Sequence, residues 1–253
     1  MYLEIEIEKG GENMWIRADL KSRAKKVLKG NYWQAFLVSL VILITGGSHN
    51  HGEVGSSAGS SGGAEAGGGV FFDLDIALIV GTVILLIIIL RIFIGYILEV
   101  GGRKYFIELS EGESEISYLG YGFKNNNYFN IFWTMLLRSI YVILWSLLLI
   151  IPGIIKFYAY RMVPYILADN PEMGHRKAIK LSNKMTQGEK WDIFILDLSF
   201  LGWFILGSLF FGIGILFVQP YYDSTNAELY LKLRKEAITN NLVTENELNI
   251  NNE

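Results

Sequence analysis

The sequence predicts an all-α fold: a polytopic membrane helix bundle of about six transmembrane helices, with two basic amphipathic surface helices and both termini cytoplasmic. Three observations carry this expectation. Hydrophobic residues make up 51% of the 253 residues and the mean hydropathy is +0.32, outside the range of soluble domains. Apolar runs recur that approach or exceed the roughly 20 residues a helix needs to cross about 30 Å of hydrocarbon. Lysine and arginine collect in some connecting segments and are missing from another.

From the N-terminus, Met1 to Gly11 alternates Leu3, Ile5 and Ile7 with Glu4, Glu6 and Glu8, a strand-like pattern too isolated to pair, and reads as a frayed tail. Its acidity excludes a secretory signal, which needs a basic start before an apolar core. From Trp15 to Lys29, Ile16, Leu20, Val27 and Leu28 can share one helical side while Arg17, Lys21, Arg23, Lys25, Lys26 and Lys29 occupy the rest. That pattern predicts an interfacial helix on an anionic leaflet, where each basic side chain gains about 1 kcal/mol. A solvated charged helix is the alternative; direct abutment to an apolar run argues against nucleic acid. Tyr32 to Thr45 is the first span, short enough to leave a re-entrant segment open.

Gly46 to Gly69 is almost entirely Gly, Ser and Ala and cannot bury enough apolar surface to order itself, so a flexible loop is expected. His49, His51 and Glu53 within it are metal-ligand types, but the loop lacks the order of a tight site; no metal or cofactor is expected. Ile76 to Leu98 is the clearest span, with Arg91 about two turns from its end. Glu99 to Tyr128 mixes Arg103, Lys104 and Lys124 with glutamates, aromatics and glycines. It reads as a structured or interfacial loop on which Glu108, Glu111, Glu113 and Glu115 form a solvated face rather than an acid pair for catalysis.

Phe129 to Asn170 predicts a helical hairpin inside a bilayer. Phe129 to Ile151 is long enough to cross, Pro152 and Gly153 suit a corner, and Ile154 to Ala168 returns with Lys156 snorkelling outward. Asn170-Pro171-Glu172 has the form of a helix opening, and Arg176, Lys177, Lys180, Lys184 and Lys190 make the following segment, ended by Gly188, a second basic surface helix. Trp191 to Leu206 and Leu209 to Tyr222 are two further apolar segments, or one long tilted crossing. The chain thus divides into a cytoplasmic tail and basic helix over 1–31, a membrane domain over 32–236 containing the extracytoplasmic loop 46–69, and a disordered cytoplasmic tail over 237–253. The first thirty-one residues hold seven Lys and Arg, 46–75 none, 99–128 three, 169–190 five and 221–253 three. Six crossings place every rich segment inside; merging the last two spans would strand Lys232, Arg234 and Lys235 outside, against the rule.

Charges inside membrane segments are the candidate functional residues, because an unpaired one costs at least about 2.5 to 3.5 kcal/mol there. Arg138 sits nearest mid-span, Asp192 and Asp197 open the fifth segment, and Lys156 and Arg161 lie on the return leg. The expected pair is Arg138 with Asp197, as a structural ion pair or as a substrate or proton site. Val163-Pro164-Tyr165 with Asp169 behind it also echoes Gln219-Pro220-Tyr221 with Asp223 behind it. That echo marks either two related hairpins of the kind transporters use around a central site or a common interface dipeptide.

The string Ile151-Pro152-Gly153-Ile154-Ile155-Lys156, then Tyr165 to Asn170, Met185 through Gly188 to Trp191, Gly212-Ile213-Gly214 and Pro220-Tyr221 resembles the bacterial membrane proteins grouped as domain of unknown function 975. The resemblance covers roughly Trp15 to Arg234. It implies a six-helix protein of the bacterial cell membrane, similar also to the membrane domain beside some glycerophosphodiester phosphodiesterases, with the Gly-Ser loop as an insertion. No catalytic order is present: no Ser-His-Asp arrangement, no His-Glu-x-x-His helix and no nucleotide loop. With no cysteine, thiol chemistry is excluded too. The expectation is a non-enzymatic membrane component handling lipids, peptides or envelope components. Its partners would be the lipid bilayer, through anionic headgroups on the basic helices, and a possible protein. A small-solute or ion transporter is the alternative.

Overall fold

A computed structural model describes residues 15–45, 74–123, 127–209 and 212–250. Met1 to Gly11, the Gly46 to Gly69 loop with His49, His51 and Glu53, Lys124 and the side chain of Arg91 lie outside the described residues.

Among the described residues the fold is helical throughout, without strands. The helices are α1 (Arg17–Leu28), α2 (Tyr32–Thr45), α3 (Leu74–Glu111), α4 (Tyr128–Leu148), α5 (Ile150–Ala159), α6 (Val163–Asp169), α7 (His175–Met185), α8 (Lys190–Leu209) and α9 (Ile213–Thr239). A 3-10 segment, Ile116–Phe123, packs back on α3, and a short one, Asn246–Leu248, closes the chain. Helix α3 is the central element, touching α2, α4, α6 and α9, while α4 lies on α5, and α8 and α1 both lie on α9.

Burial divides the helices along their lengths. Residues from the middle of α3 through Leu109, with α6 and most of α9, form one core, whereas apolar side chains near the connections 46–73, 149 and 210–212 are bare. Leu147, Leu148, Ile150 and Ile151 are between 69% and 78% exposed, and Leu78, Trp203, Leu206, Leu209 and Ile213 are exposed in the same way. Helices α4 and α8 are each long and apolar enough to cross a membrane. The α1–α2 pair joins them only if its 111° bend lies within one span.

Several expectations change. The helix predicted to stop near Leu98 continues to Glu111, so Glu99 to Ser110 is not a loop and Glu108 is no solvated residue: it is buried with Lys104 2.6 Å away. Gly101 and Gly102 belong there because a Cβ on Gly101 would meet the Leu119 carbonyl and one on Gly102 the Ile42 side chain. The hairpin corner is Leu149, extended at φ −157°, and not Pro152-Gly153. Pro152 lies in the first turn of α5, where its missing N–H costs nothing. Gly153 lets α4 approach, since a Cβ would come within 2.7 Å of the Ser146 Cα.

The return leg is broken: α5 has ten residues, about 15 Å, before a turn at Tyr160 to Met162 leads into α6. Asn170-Pro171-Glu172 forms an Asx turn, with Asn170 Oδ1 accepting from the Glu172 amide, and α7 begins only at His175. Segments 191–206 and 209–222 belong to two helices, not one, reversing at Gly212 with φ +78° and touching where a Cβ on Gly207 would sit 2.8 Å from Gly214. In α1 the buried residues are Leu20, Ala24 and Leu28; Ile16 is exposed. The tail from Ala237 is folded through Ile250: Val243 and Leu248 are buried, and Lys177 holds Glu247 at 2.5 Å.

Two outcomes follow. Gly207→Val wedges α8 from α9 and is expected to lower stability by about 1–3 kcal/mol in a detergent melt, while Gly202→Val, with open space around it, leaves the midpoint nearly unchanged. Hydrogen bonds from Lys177 and the Thr244 amide hold the Glu247 carboxyl below its usual range. Because the folded value is depressed, that contribution is present above the unfolded value and lost as pH falls through the folded one. Amide protection at Val243 and Leu248, corrected for intrinsic exchange, should therefore fall on acidification below about 4, and Lys177→Gln should remove the same protection at neutral pH.

Candidate functional site

The candidate site is a set of charged side chains inside the bundle, carried by helices whose apolar neighbours exclude water. Two of the sequence-selected residues form its centre. Arg161, in the turn between α5 and α6, meets Asp197 of α8 as a two-pronged pair, Nη1 to Oδ2 at 2.5 Å and Nη2 to Oδ1 at 2.8 Å. Tyr158 and Tyr222 donate to the same carboxylate at 3.0 Å each, and Arg161 Nη2 also donates to Tyr222 Oη and Asn226 Oδ1, both at 2.6 Å. All five residues are buried. Such a planar, bidentate contact suits guanidinium geometry and would not survive replacement by lysine unchanged.

The pairing of Arg138 with Asp197 is not what the structure shows. Arg138 points from α4 to Glu99 of α3, 3.8 Å away, and its Nε donates to the Tyr160 carbonyl at 2.9 Å. Asp197 is fully engaged by Arg161 and the two tyrosines. A third pair joins Arg103 of α3 to Asp223 of α9 at 2.7 Å, and Asp223 also accepts from Ser39 of α2 at 2.7 Å and Gln219 at 3.2 Å. Arg103 stands 5.2 Å from the Tyr165 ring, which stacks on Tyr230; Tyr230 donates to Asp169 at 2.6 Å, Asp169 pairs with Arg234 at 3.2 Å, and Arg234 pairs with Glu111. Asp223 to Glu111 is thus one continuous polar and aromatic path.

Three sequence candidates stand elsewhere. Asp192 is at the surface with Arg17 at 3.3 Å; Lys156 lies over the Trp145 and Tyr160 rings at 5.3 Å and 5.7 Å; Tyr221 is half-buried against Phe200 and Lys25. The Pro-Tyr echo does not mark equivalent places. Pro164 is in the first turn of a seven-residue helix and Pro220 sits within α9; Tyr165 is buried in the path above whereas Tyr221 is not; Asp169 serves Arg234 and Asp223 serves Arg103.

Glu99, Arg103, Ser39, Tyr222, Asn226, Tyr230 and Arg234 were not among the sequence candidates. A signal for two of them was available: Asn226 and Tyr230 continue, at spacings of three and four, a polar stripe on one side of α9 that starts at Gln219 and Asp223. Among the described residues no group of three or more His, Asp or Glu is arranged to hold a metal ion.

The family model described as Protein of unknown function (DUF975) matches residues 14–159 and 147–237. No curated protein and no solved structure matches the chain.

Asp197→Asn leaves Arg161 buried with no countercharge and is expected to destabilise the protein by about 3–5 kcal/mol, read as a lower melting midpoint in detergent. The double change Arg161→Met with Asp197→Leu should recover much of that loss. A double variant no more stable than Asp197→Asn alone would show that the pair is not the interaction being broken.

Proposed function

The chain belongs to the family described as Protein of unknown function (DUF975), and from that premise we propose that it is a multi-pass protein of the bacterial cell membrane, with no catalytic chemistry of its own, that handles lipids, peptides or envelope components. In this reading α2, α3, α4, α5 with α6, α8 and α9 provide six crossings in three hairpins. The three connections at 46–73, 149 and 210–212 face outward, and both termini, α1 and α7 face the cytoplasm.

The observation that supports it best is the distribution of bare apolar side chains beside all three connections, together with the basic helices at α1 and α7. Leu147 to Ile151 in water would be a contiguous apolar patch of the kind that marks an interaction surface, and lipid is the solvent that suits it. The closed polar interior favours a component that works through its surface. Arg161, Asp197, Tyr158, Tyr222 and Asn226 satisfy one another, which leaves little for a passing solute.

One observation favours the transporter reading as an alternative. The break at Tyr160 to Met162 exposes helix-end carbonyls that side chains bind, Arg138 at Tyr160 and Ser182 at Ala159, and broken helices line central sites in many transporters.

Because the native chain has no cysteine, single substitutions can be labelled without background. Ser60→Cys should react with a membrane-impermeant maleimide on intact cells, and Ser22→Cys and Thr239→Cys only after permeabilisation. Labelling of Ser60→Cys and Thr239→Cys from the same side would overturn the six-crossing map. In proteoliposomes, transport predicts ion or solute flux that Arg138→Ala abolishes in a folded protein; absence of flux with the wild type supports the first reading.

A further inference from the structure

Arg17, Lys21 and Lys25 place one cation on each successive turn of α1, against α8 and α9, and Lys29 follows as the residue that ends the helix. These charges are met unequally. Arg17 pairs with Asp192 at 3.3 Å; Lys21 donates to Ser199 Oγ at 2.6 Å and lies 4.2 Å from the Phe200 ring centre; Lys25 lies 5.4 Å from the Tyr221 ring. Neither Lys25 nor Lys29 has a carboxylate partner among the described residues. Positive charge is therefore uncompensated at the α2 end of the row. Burial, and to a smaller extent the neighbouring Lys25 and Arg17 charges, hold the Lys21 ammonium below its usual range.

At that end the surface forms a shallow, open depression. Lys25, Leu28, Lys29, Gly30, Tyr32 and Tyr221 line a hollow of about 380 Å³ in which every ionisable group is a lysine or a tyrosine. Gly30, at φ +107°, turns the chain so that α2 leaves α1 at 111°. Tyr32 anchors the corner by donating to the Phe217 carbonyl at 2.8 Å. Immediately beyond the hollow, Trp33, Leu37 and Phe217 present exposed apolar side chains.

We propose that this hollow binds the phosphodiester headgroup of an anionic phospholipid, with Lys25 and Lys29 as its cations and Tyr32 and Tyr221 as its walls. The proposal rests on the membrane reading above. Two point charges without a carboxylate suit a phosphate, and tyrosines suit the headgroup level. The apolar strip at Trp33, Leu37 and Phe217 is what distinguishes a lipid from a free anion, because it offers the acyl chains a surface continuous with the charge. A phosphatidylglycerol would satisfy both ends; a phosphatidylcholine would bring its own cation to the lysines.

The test uses the full chain in detergent micelles, with short-chain phosphatidylglycerol and phosphatidylcholine titrated separately and retention read by native mass spectrometry. The wild type should retain phosphatidylglycerol on the order of tenfold more tightly, and Lys25→Gln with Lys29→Gln should erase that preference while leaving phosphatidylcholine binding unchanged. Lys25→Arg with Lys29→Arg should keep it, as should Lys180→Gln with Lys184→Gln on α7. Equal binding of the two lipids by the wild type, or equal loss in the α7 variant, would overturn the site. Inorganic phosphate that displaces the lipid at equal concentration would overturn it in favour of a free anion. Carbonate extraction of the expressing cells separates the two levels of inference. Protein retained in the membrane without lipid preference sinks only the site, whereas protein released by carbonate sinks the membrane reading.

Discussion

Three arginine–carboxylate pairs hold the bundle, and each joins a different two of its three hairpins. Arg138 and Glu99 tie the α4–α5 hairpin to α3, Arg103 and Asp223 tie α3 to α9, and Arg161 and Asp197 tie the segment after α5 to α8. In the proposed membrane reading apolar side chains cannot supply that closure, because in hydrocarbon the attraction between greasy surfaces that drives a soluble core vanishes. A charge out of water, by contrast, must keep its partner or bear a large desolvation cost. The ring of pairs therefore selects one arrangement of hairpins among many that would bury similar apolar area. Stability and specificity separate here: the pairs add little net energy over well-packed apolar replacements, yet they penalise every mispacked alternative.

The same logic explains the broken return leg. A turn at Tyr160 to Met162 frees backbone carbonyls that an uninterrupted helix would have bonded, and two of them accept from side chains: Tyr160 from Arg138 and Ala159 from Ser182. The Met162 amide donates in turn to Ser182 Oγ at 3.1 Å. The break lets Arg161 leave the axis of α5 and face Asp197. Glycines do the complementary work where backbones must touch, at Gly153 against Ser146 and Gly207 against Gly214.

Hydropathy made the helical class and the two long apolar helices α4 and α8 legible in the sequence, and left the 191–222 region open between one crossing and two. It failed at Glu99 to Ser110, where Arg103, Lys104 and Glu108 look like surface residues to any rule that scores side chains singly. In place they are internal because each is paired, and pairing is a property of two segments distant in the chain. Arg138 was legible as a buried charge, but not its partner: position along a helix is read from sequence, whereas the direction a side chain faces around it depends on packing. The tail failed for a related reason, since Asn- and Glu-rich composition says nothing of the Lys177 and Asn170 groups that hold Glu247.

The polar path from Asp223 through Arg103, Tyr165, Tyr230, Asp169 and Arg234 to Glu111 joins the ends of α3 and α9 lengthwise. It sets one stacked pair of rings, Tyr165 and Tyr230, between the Asp223–Arg103 pair and the Asp169–Arg234–Glu111 cluster, so that every charge in it meets an opposite one. This is a stiff arrangement, because moving any member exposes its neighbour to an uncompensated charge. A protein built on such a spine would change shape, if at all, at places the spine does not cross. The corner between α1 and α2, where Lys25 and Lys29 have no carboxylate partner among the described residues, is one of them. Rigidity inside and unbalanced charge at the rim belong together: the interior has spent its acids on its own arginines, and the cations left over face outward, where a ligand can meet them.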